Sequence, residues 1–372
     1  MIYLDNAATT AMEEGCLAVI EKYACQTFFN PSAGYRQALS VGKELDEARS
    51  KVLSRLGADC GDIIFTGGAT ESNNLAVMGS KRNGKWEYIF SLGEHPSVYN
   101  VARELEAQGH IVHFVGLQPN GQIDYDKLEK LLNERTRLIS VIHVSNETGA
   151  VNDVVKIDRL KKKSAPNALF HVDGVQAFCK LPVNLKDFNP DFYTISAHKF
   201  HGPKGVGALY VKDASKLKNI IYGGGQEKGY RSGTENVAGV MAMVYAMENI
   251  DVASNLEKVT LLQKVMTNTL RLDENVKILE TDSPYILSCE FSGVNGETLM
   301  RALQDEDVLV GIGSACSTKK AGNRILESMG HNKDSIKSHI RISFDATQSE
   351  QEIRKAGEII LKTYRRIWEK VK

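Results

Sequence analysis

No apolar run in this 372-residue chain approaches the length needed to cross a bilayer, so a membrane-spanning helix is not expected. No charge of one sign dominates. The 46 basic residues are matched by 46 acidic ones, which argues against nucleic-acid binding through bulk electrostatics. Cysteine is sparse and scattered: Cys16, Cys25, Cys60, Cys179, Cys289 and Cys316 include no CxxC pair, so neither a disulfide framework nor a metal site is expected. Residues 1–10 have no basic n-region and carry Asp5, so they do not read as a signal peptide. A reducing cytosol is the expected, cytoplasmic compartment. There is no internal repeat and no low-complexity linker.

What is present is an ordinary globular composition, 42% hydrophobic and 25% charged, in a chain long enough for two domains. Short β-rich runs at 62–66, 87–91, 111–115, 138–144, 168–172, 192–195 and 206–211 alternate with amphipathic segments such as 96–108, 125–133 and 153–163. That alternation predicts an α/β domain with a mostly parallel sheet. From about residue 236 the pattern changes. Helical stretches at 237–249 and 255–272 lead into strands near 276–279, 286–291 and 339–344, and a final helix covers 349–370. This predicts a smaller α+β unit. The expected division is a large domain over 13–250, with 1–12 and 251–372 forming the small one.

Several polar residues terminate the apolar runs. Lys199, in Ser196-Ala197-His198-Lys199, follows one strand, and Asp173, in His171-Val172-Asp173, follows its neighbour. A lysine so placed can form a Schiff base with an aldehyde, and a carboxylate can keep a pyridine nitrogen protonated. Pyridoxal 5′-phosphate chemistry needs both. Lys204, in a Pro/Gly turn, is more easily a solvated loop charge. Asp173 serves equally as the cap of a helix beginning near Gly174, on which Gln176 would reach the same ligand. The run Thr66-Gly67-Gly68-Ala69-Thr70 opens a helix whose free N–H groups suit a phosphate, with Ser196 and His198 able to close on it. An ordinary strand-to-helix turn capped by Thr70 has the same sequence. His95 at a helix start can stack on a ring or simply begin the helix. Asn146 terminates another strand, and a turn asparagine is the plain alternative. Cys316 lies in small residues followed by Lys319 and Lys320, a setting that can favour thiolate, whereas the other cysteines sit in apolar or helical contexts. Arg341 interrupts an apolar strand. Its fork matches an amino-acid carboxylate or an internal salt bridge.

With these residues assembled, the chain resembles cysteine desulfurases of the NifS/IscS type, in the class V aminotransferase group of fold-type I pyridoxal-phosphate enzymes. The resemblance is carried nearly end to end. Its tags are Tyr3-Leu4-Asp5-Asn6-Ala7-Ala8-Thr9-Thr10, Asn30-Pro31-Ser32, Gly68-Ala69-Thr70-Glu71-Ser72-Asn73-Asn74, Glu94-His95, Asn146-Glu147-Thr148-Gly149, His171-Val172-Asp173 and Ser196-Ala197-His198-Lys199. It continues in Gly223-Gly224-Gly225-Gln226-Glu227, Arg231-Ser232-Gly233-Thr234, Gly313-Ser314-Ala315-Cys316-Ser317 and Ile340-Arg341. The resemblance implies that Lys199 bears the cofactor, Asp173 pairs with its pyridine nitrogen, His95 stacks on the ring, and Asn146 and Gln176 lie near its phenolic oxygen. Ala69, Thr70, Ser196 and His198 would hold the phosphate with Thr234 of a second subunit, which implies a homodimer. Arg341, with Asn30 nearby, would bind the carboxylate of L-cysteine, and Cys316 would accept sulfur.

The implied reaction converts L-cysteine to L-alanine, leaving a Cys316 persulfide for a sulfur-acceptor protein, either an iron–sulfur scaffold or a tRNA-thiolation enzyme. A selenocysteine lyase, another class V aminotransferase and a non-catalytic scaffold of the same fold are the alternatives. The chain departs from the pattern at Ser145 and Gly67, where asparagine and serine are usual, and is slightly short after Cys316.

Overall fold

The computed structural model describes residues 1–313 and 323–372. Twelve strands are described: β1 (Ile2–Leu4), β2 (Asp62–Thr66), β3 (Glu87–Ser91), β4 (Ile111–Val115), β5 (Thr136–Ile142), β6 (Leu169–Asp173), β7 (Phe192–Ser196), β8 (Gly207–Val211), β9 (Val276–Leu279), β10 (Ile286–Phe291), β11 (Val308–Val310) and β12 (His339–Ser343). A seven-stranded sheet has the order β2-β8-β7-β6-β5-β3-β4. Its β4, β3, β5, β6 and β7 run parallel, and β8 is antiparallel to both neighbours. A three-stranded antiparallel sheet, β12-β10-β9, and the parallel pair β1-β11 complete the set. The fold is the mixed α/β architecture the sequence predicts.

The large sheet is apolar on both faces, as a sheet covered by helices must be. Alternate residues of each strand enter different cores. Ile63, Ile89, Ile139, Phe170, Tyr193 and Ala208 pack on one side with the helices Arg36–Arg55 and Val237–Glu248. Ile64, Phe90, Leu138, Leu169, Phe192 and Leu209 pack on the other with Ala69–Gly79 and Pro96–Ala107. Each such Ile, Leu or Phe side chain contributes about 1.5–3 kcal/mol by leaving water. A further core joins Leu4 and Ala7 to residues from Val259 to Tyr364, between the three-stranded sheet and the helices Val252–Leu270 and Glu350–Val371.

The N-terminal segment ties the two sheets together. After β1 pairs with β11, Ala7 N donates to Ser343 Oγ (2.9 Å), and Thr10 N then donates to the His198 carbonyl (2.9 Å) beside β7. Its Ala7, Ala8 and Thr9 therefore face the carboxyl ends of the large sheet's strands.

The helix expected to begin near Gly174 is absent. Residues 175–180 form consecutive turns, and Cys179 adopts a left-handed φ of 61°, three residues before Pro182. A backbone so bent cannot propagate a helix. The expectation of apolar or helical settings for the cysteines fails at Cys60, which is exposed outside any helix or strand, while the exposed Cys25 lies in the helical segment Lys22–Gln26.

Candidate active site

Open parallel sheets bind ligands beyond the carboxyl ends of their strands, where strand order reverses. Here β4 lies on one side of β3, and β5, β6 and β7 extend from the other, so the reversal falls between β3 and β5. His95 follows β3 and Asn146 follows β5, one on each side of that point. A cavity of about 1020 Å³ opens there. Its wall brings together Ala69, Thr70, His95, Asn146, Asp173, Gln176, Ser196, His198, Lys199 and Arg341. Asn30 and Thr234 are exposed and lie outside this wall. Cys316 lies outside the described residues. The last residue before that segment, Gly313, is part of the wall, and the first after it, Asn323, donates to Glu147 Oε2 (2.7 Å), also in the wall.

Lys199 occupies the short 3-10 turn Ala197–Lys199 that closes β7. Its Nζ donates to the carbonyls of Ala7 (2.8 Å) and Ala8 (2.6 Å). Burial, and then the Arg341 cation, push its pKa down to about 8, against the pull of Asp173 and Asp5. A lysine in this state gives up its proton far more readily than one in water.

Asp173, the last residue of β6, is 2% exposed and held by two N–H donors. Asn73 Nδ2 reaches Oδ2 (2.8 Å) and the Val175 amide reaches Oδ1 (3.1 Å). The same Asn73 Nδ2 donates to Ser97 Oγ (2.8 Å), which contacts His95 Nδ1 (2.8 Å). Because the Ser97 backbone N–H also donates to Nδ1 (3.2 Å), Nδ1 is an acceptor and the ring proton belongs on Nε2. Burial lowers the pKa of His95, reinforced by Lys199 and Arg324 and opposed by Asp173 and Glu147. Asn73 is the joint of this chain. Sequence reading quoted it only as part of a tag.

Beneath it lies a second element that sequence reading left without a role. Glu94 is fully buried, with Oε1 accepting from Ser140 Oγ (3.1 Å) and Oε2 unpartnered. Burial, and then Asp173, hold its carboxyl well above the usual range. Ser140 also contacts His171 Nδ1 (2.8 Å), whose pKa burial drives down to about 3. The layer below Asp173 is therefore neutral.

At the other side of the cavity the helix Ala69–Gly79 points its first N–H groups inward, with Thr70 in its first turn and no side-chain cap. Gly68 has φ +139°, and a Cβ on Gly207 of β8 would lie 2.8 Å from the Gly68 Cα. Glycine at 207 thus lets the turn seat directly on the sheet. Ser196, His198, Lys204 and Gly205 line the same region. Burial and the cations Lys199, Lys204 and Lys180 take His198 down to about 4, and its Nδ1 contacts Thr9 Oγ1 (3.1 Å).

Arg341 of β12 closes the cavity from the smaller sheet. Its Nη1 donates to the Asn146 carbonyl (2.7 Å) and Nη2 pairs with Asp5 Oδ1 (2.7 Å), so the internal salt bridge considered from sequence exists. Its Nε is buried without a partner, and so is Asn146 Oδ1. Buried polar atoms ordinarily find partners, and neither of these two has one among the described residues.

These features fit pyridoxal 5′-phosphate. A helix N-terminus suits its phosphate, a twice-supported carboxylate suits its ring nitrogen, a lysine of lowered pKa suits its aldehyde, and an unpartnered asparagine oxygen remains beside them.

Comparison with known proteins agrees. The family model described as Aminotransferase class-V matches residues 2–355. A cysteine desulfurase of Nostoc sp. is 34% identical, over 97% of this chain and 92% of the relative. The cysteine desulfurase IscS of Cronobacter sakazakii is 35% identical, over 98% and 93% respectively. A solved structure described as a NifS-like protein superposes with a TM-score of 0.90 at 30% identity, covering 98% of this chain and 99% of the other. The chain belongs to the class V aminotransferase family and is a pyridoxal 5′-phosphate enzyme.

Proposed function

We infer that the enzyme is a cysteine desulfurase, converting L-cysteine to L-alanine and passing the sulfur to Cys316. The observation that carries this reading is one cavity wall holding Lys199, Asp173 and Arg341, in a chain whose relatives are described as cysteine desulfurases along nearly their whole length.

In this reading Lys199 anchors the cofactor, Asp173 holds its ring nitrogen, and His95 stacks on its face. Asn146 and Gln176 lie near its phenolic oxygen, while Ala69, Thr70, Ser196 and His198 take its phosphate. When bound, the cofactor supplies an electron-accepting ring. The chain's own residues do the rest. Arg341 takes the substrate carboxylate through guanidinium N–H groups not already engaged by Asp5 or Asn146. Lys199 Nζ, readily neutral, accepts the Cα proton. His95 carries a proton at Nε2, fixed by Ser97 on the other nitrogen. The Cys316 thiolate then attacks the substrate sulfur. An S–S bond forms as C–S breaks, the carbon leaves with the electron pair, and protonation gives alanine's methyl group.

We further propose a homodimer. The loop that carries Thr234 is tied back to the cavity rim, since Arg231 Nε pairs with Glu71 Oε1 (2.8 Å), while Thr234 itself remains exposed. That placement supports its use by a second copy. The persulfide would pass to an acceptor protein, an iron–sulfur scaffold or a tRNA-thiolation enzyme. The five described cysteines are free, which supports a reducing cytoplasm. No described helix is long and apolar enough to cross a membrane.

The test is Cys316→Ala. The variant should bind cofactor with unchanged visible absorbance yet form neither alanine nor sulfide from L-cysteine under dithiothreitol. Normal turnover would overturn the assignment.

A further inference from the structure

Lys180 ends the run of turns after β6 and is 6% exposed. A lysine near a surface normally extends its ammonium into water, but this one does not. Nor does it form an ion pair among the described residues. Its Nζ donates to Gln176 Oε1 (2.8 Å), and the ring of Tyr285 lies 5.6 Å away. Burying an ammonium without a carboxylate is unfavourable relative to an apolar side chain of similar length. Stability alone therefore does not account for Lys180.

Its geometry does one thing an apolar side chain cannot. An ammonium only donates, so while Lys180 is protonated the Gln176 atom facing it must be the oxygen. The amide nitrogen is then forced to the opposite side, where Nε2 donates to the Ala7 carbonyl (2.8 Å). That carbonyl also accepts from Lys199 Nζ (2.8 Å). A reversed amide would set two acceptors, Gln176 Oε1 and the Ala7 oxygen, against each other.

We propose that Lys180 is a positioning residue that holds the side-chain amide of Gln176 with its N–H groups toward Ala7 and the cofactor cavity, so that Gln176 acts there as a donor. This rests on the reading that Gln176 stands beside the cofactor's phenolic oxygen. A donor at that oxygen stabilises its anionic form and lowers the proton affinity of the Lys199–cofactor linkage. The groups facing Lys180 are Lys199 after β7, Arg341 of β12, Asp345 after β12 and Tyr285 before β10, and His198 and His201 also feel its charge. Asp345 does not neutralise it, being engaged by His201 Nε2 (2.9 Å). Burial and then Lys199 bring Lys180 itself down to about 7.

The experiment is a pH titration of the visible absorbance of the cofactor-loaded enzyme in wild type, Lys180→Met, Lys180→Gln, Gln176→Leu and the Lys180→Met/Gln176→Leu double variant. Lys180→Met should raise the titration midpoint by about half a unit to one unit. Gln176→Leu should raise it similarly, and the double variant should add nothing beyond Gln176→Leu. Lys180→Gln, which keeps an N–H donor for Gln176 but no charge, should restore the midpoint to near the wild-type value, and it is the deciding variant if Lys180→Met does not fold. If Gln176→Leu moves the midpoint but Lys180→Met does not, the Lys180 proposal fails alone. If Lys180→Gln behaves like Lys180→Met, the residue acts by charge and the positioning role is overturned. If Gln176→Leu leaves the midpoint unchanged, the placement of Gln176 fails and the proposal fails with it.

Discussion

The two ends of the cavity are built in opposite ways. Around Asp173 the series is closed at the acid, both of whose oxygens accept, and it runs through Asn73 to Ser97 and His95 with Asn73 Oδ1 left unpartnered. Around Arg341 the series is open, with Nε and the neighbouring Asn146 Oδ1 both unpartnered. An acid with both oxygens engaged is held in place before a ligand arrives, whereas Arg341 keeps a guanidinium N–H unpaired. The contrast matches a resident cofactor at one end and a transient substrate at the other. It also says where substitutions should act: on cofactor chemistry at the closed end, on KM at the open end.

The largest effect should come from Lys199→Ala, which removes the anchor and the proton acceptor together. Visible absorbance of the loaded enzyme should change character, and alanine formation should fall by about 10³-fold or more. Arg341→Ala should instead raise KM for L-cysteine about 100-fold, from the loss of roughly 2–3 kcal/mol of charged hydrogen bonding, with a smaller effect on kcat. An equal fall in kcat with no change in KM would break the comparison.

Asn73→Ala opens the closed end without touching a reacting group. Asp173 loses one of its two donors and Ser97 loses its link, so cofactor affinity should fall about tenfold, measured by equilibrium titration. The pH dependence of cofactor capture by the apoenzyme sharpens the same contrast. Neutral Lys199 is the form that attacks the aldehyde, and its pKa is near 8. Capture should therefore quicken as pH rises and level off above about 8. A rate that keeps climbing tenfold per unit to pH 10 would mean an ordinary lysine.

The smallest effect belongs to Glu94→Gln. The folded state keeps this carboxyl protonated well above the usual range, while the unfolded chain releases the proton. Wild-type stability therefore declines as pH rises above the ordinary glutamate range, and an amide has no such loss. The variant should be at least as stable as wild type at pH 8 and relatively less favoured at pH 4, by thermal or denaturant unfolding.

Lys199 and Asp173 are legible in the sequence because each is a charged residue ending a run that only a buried strand explains. The parallel sheet follows from the alternation of such runs with helical segments. Other features resist local reading for identifiable reasons. Arg341 and Asp5 are a pair separated by 336 positions, and the roles of Asn73 and Lys180 lie in what they touch across the fold. Strands β1 and β11 are three residues each, too short for a period to register. The helix Arg36–Arg55 is not among the expected segments, although its buried Ala38, Val41, Leu45, Ala48 and Val52 carry a helical spacing. The turns at 175–180 were misread as a helix because nothing local announces the left-handed backbone of Cys179.

The central claim is that sulfur leaves L-cysteine for Cys316. A single turnover of the loaded enzyme with sulfur-labelled L-cysteine, followed by alkylation and mass spectrometry of the Cys316 peptide, tests it directly. The account predicts one labelled sulfur on Cys316 in step with one alanine formed per site. Alanine without label on Cys316, or label on Cys25 or Cys60 instead, would contradict it.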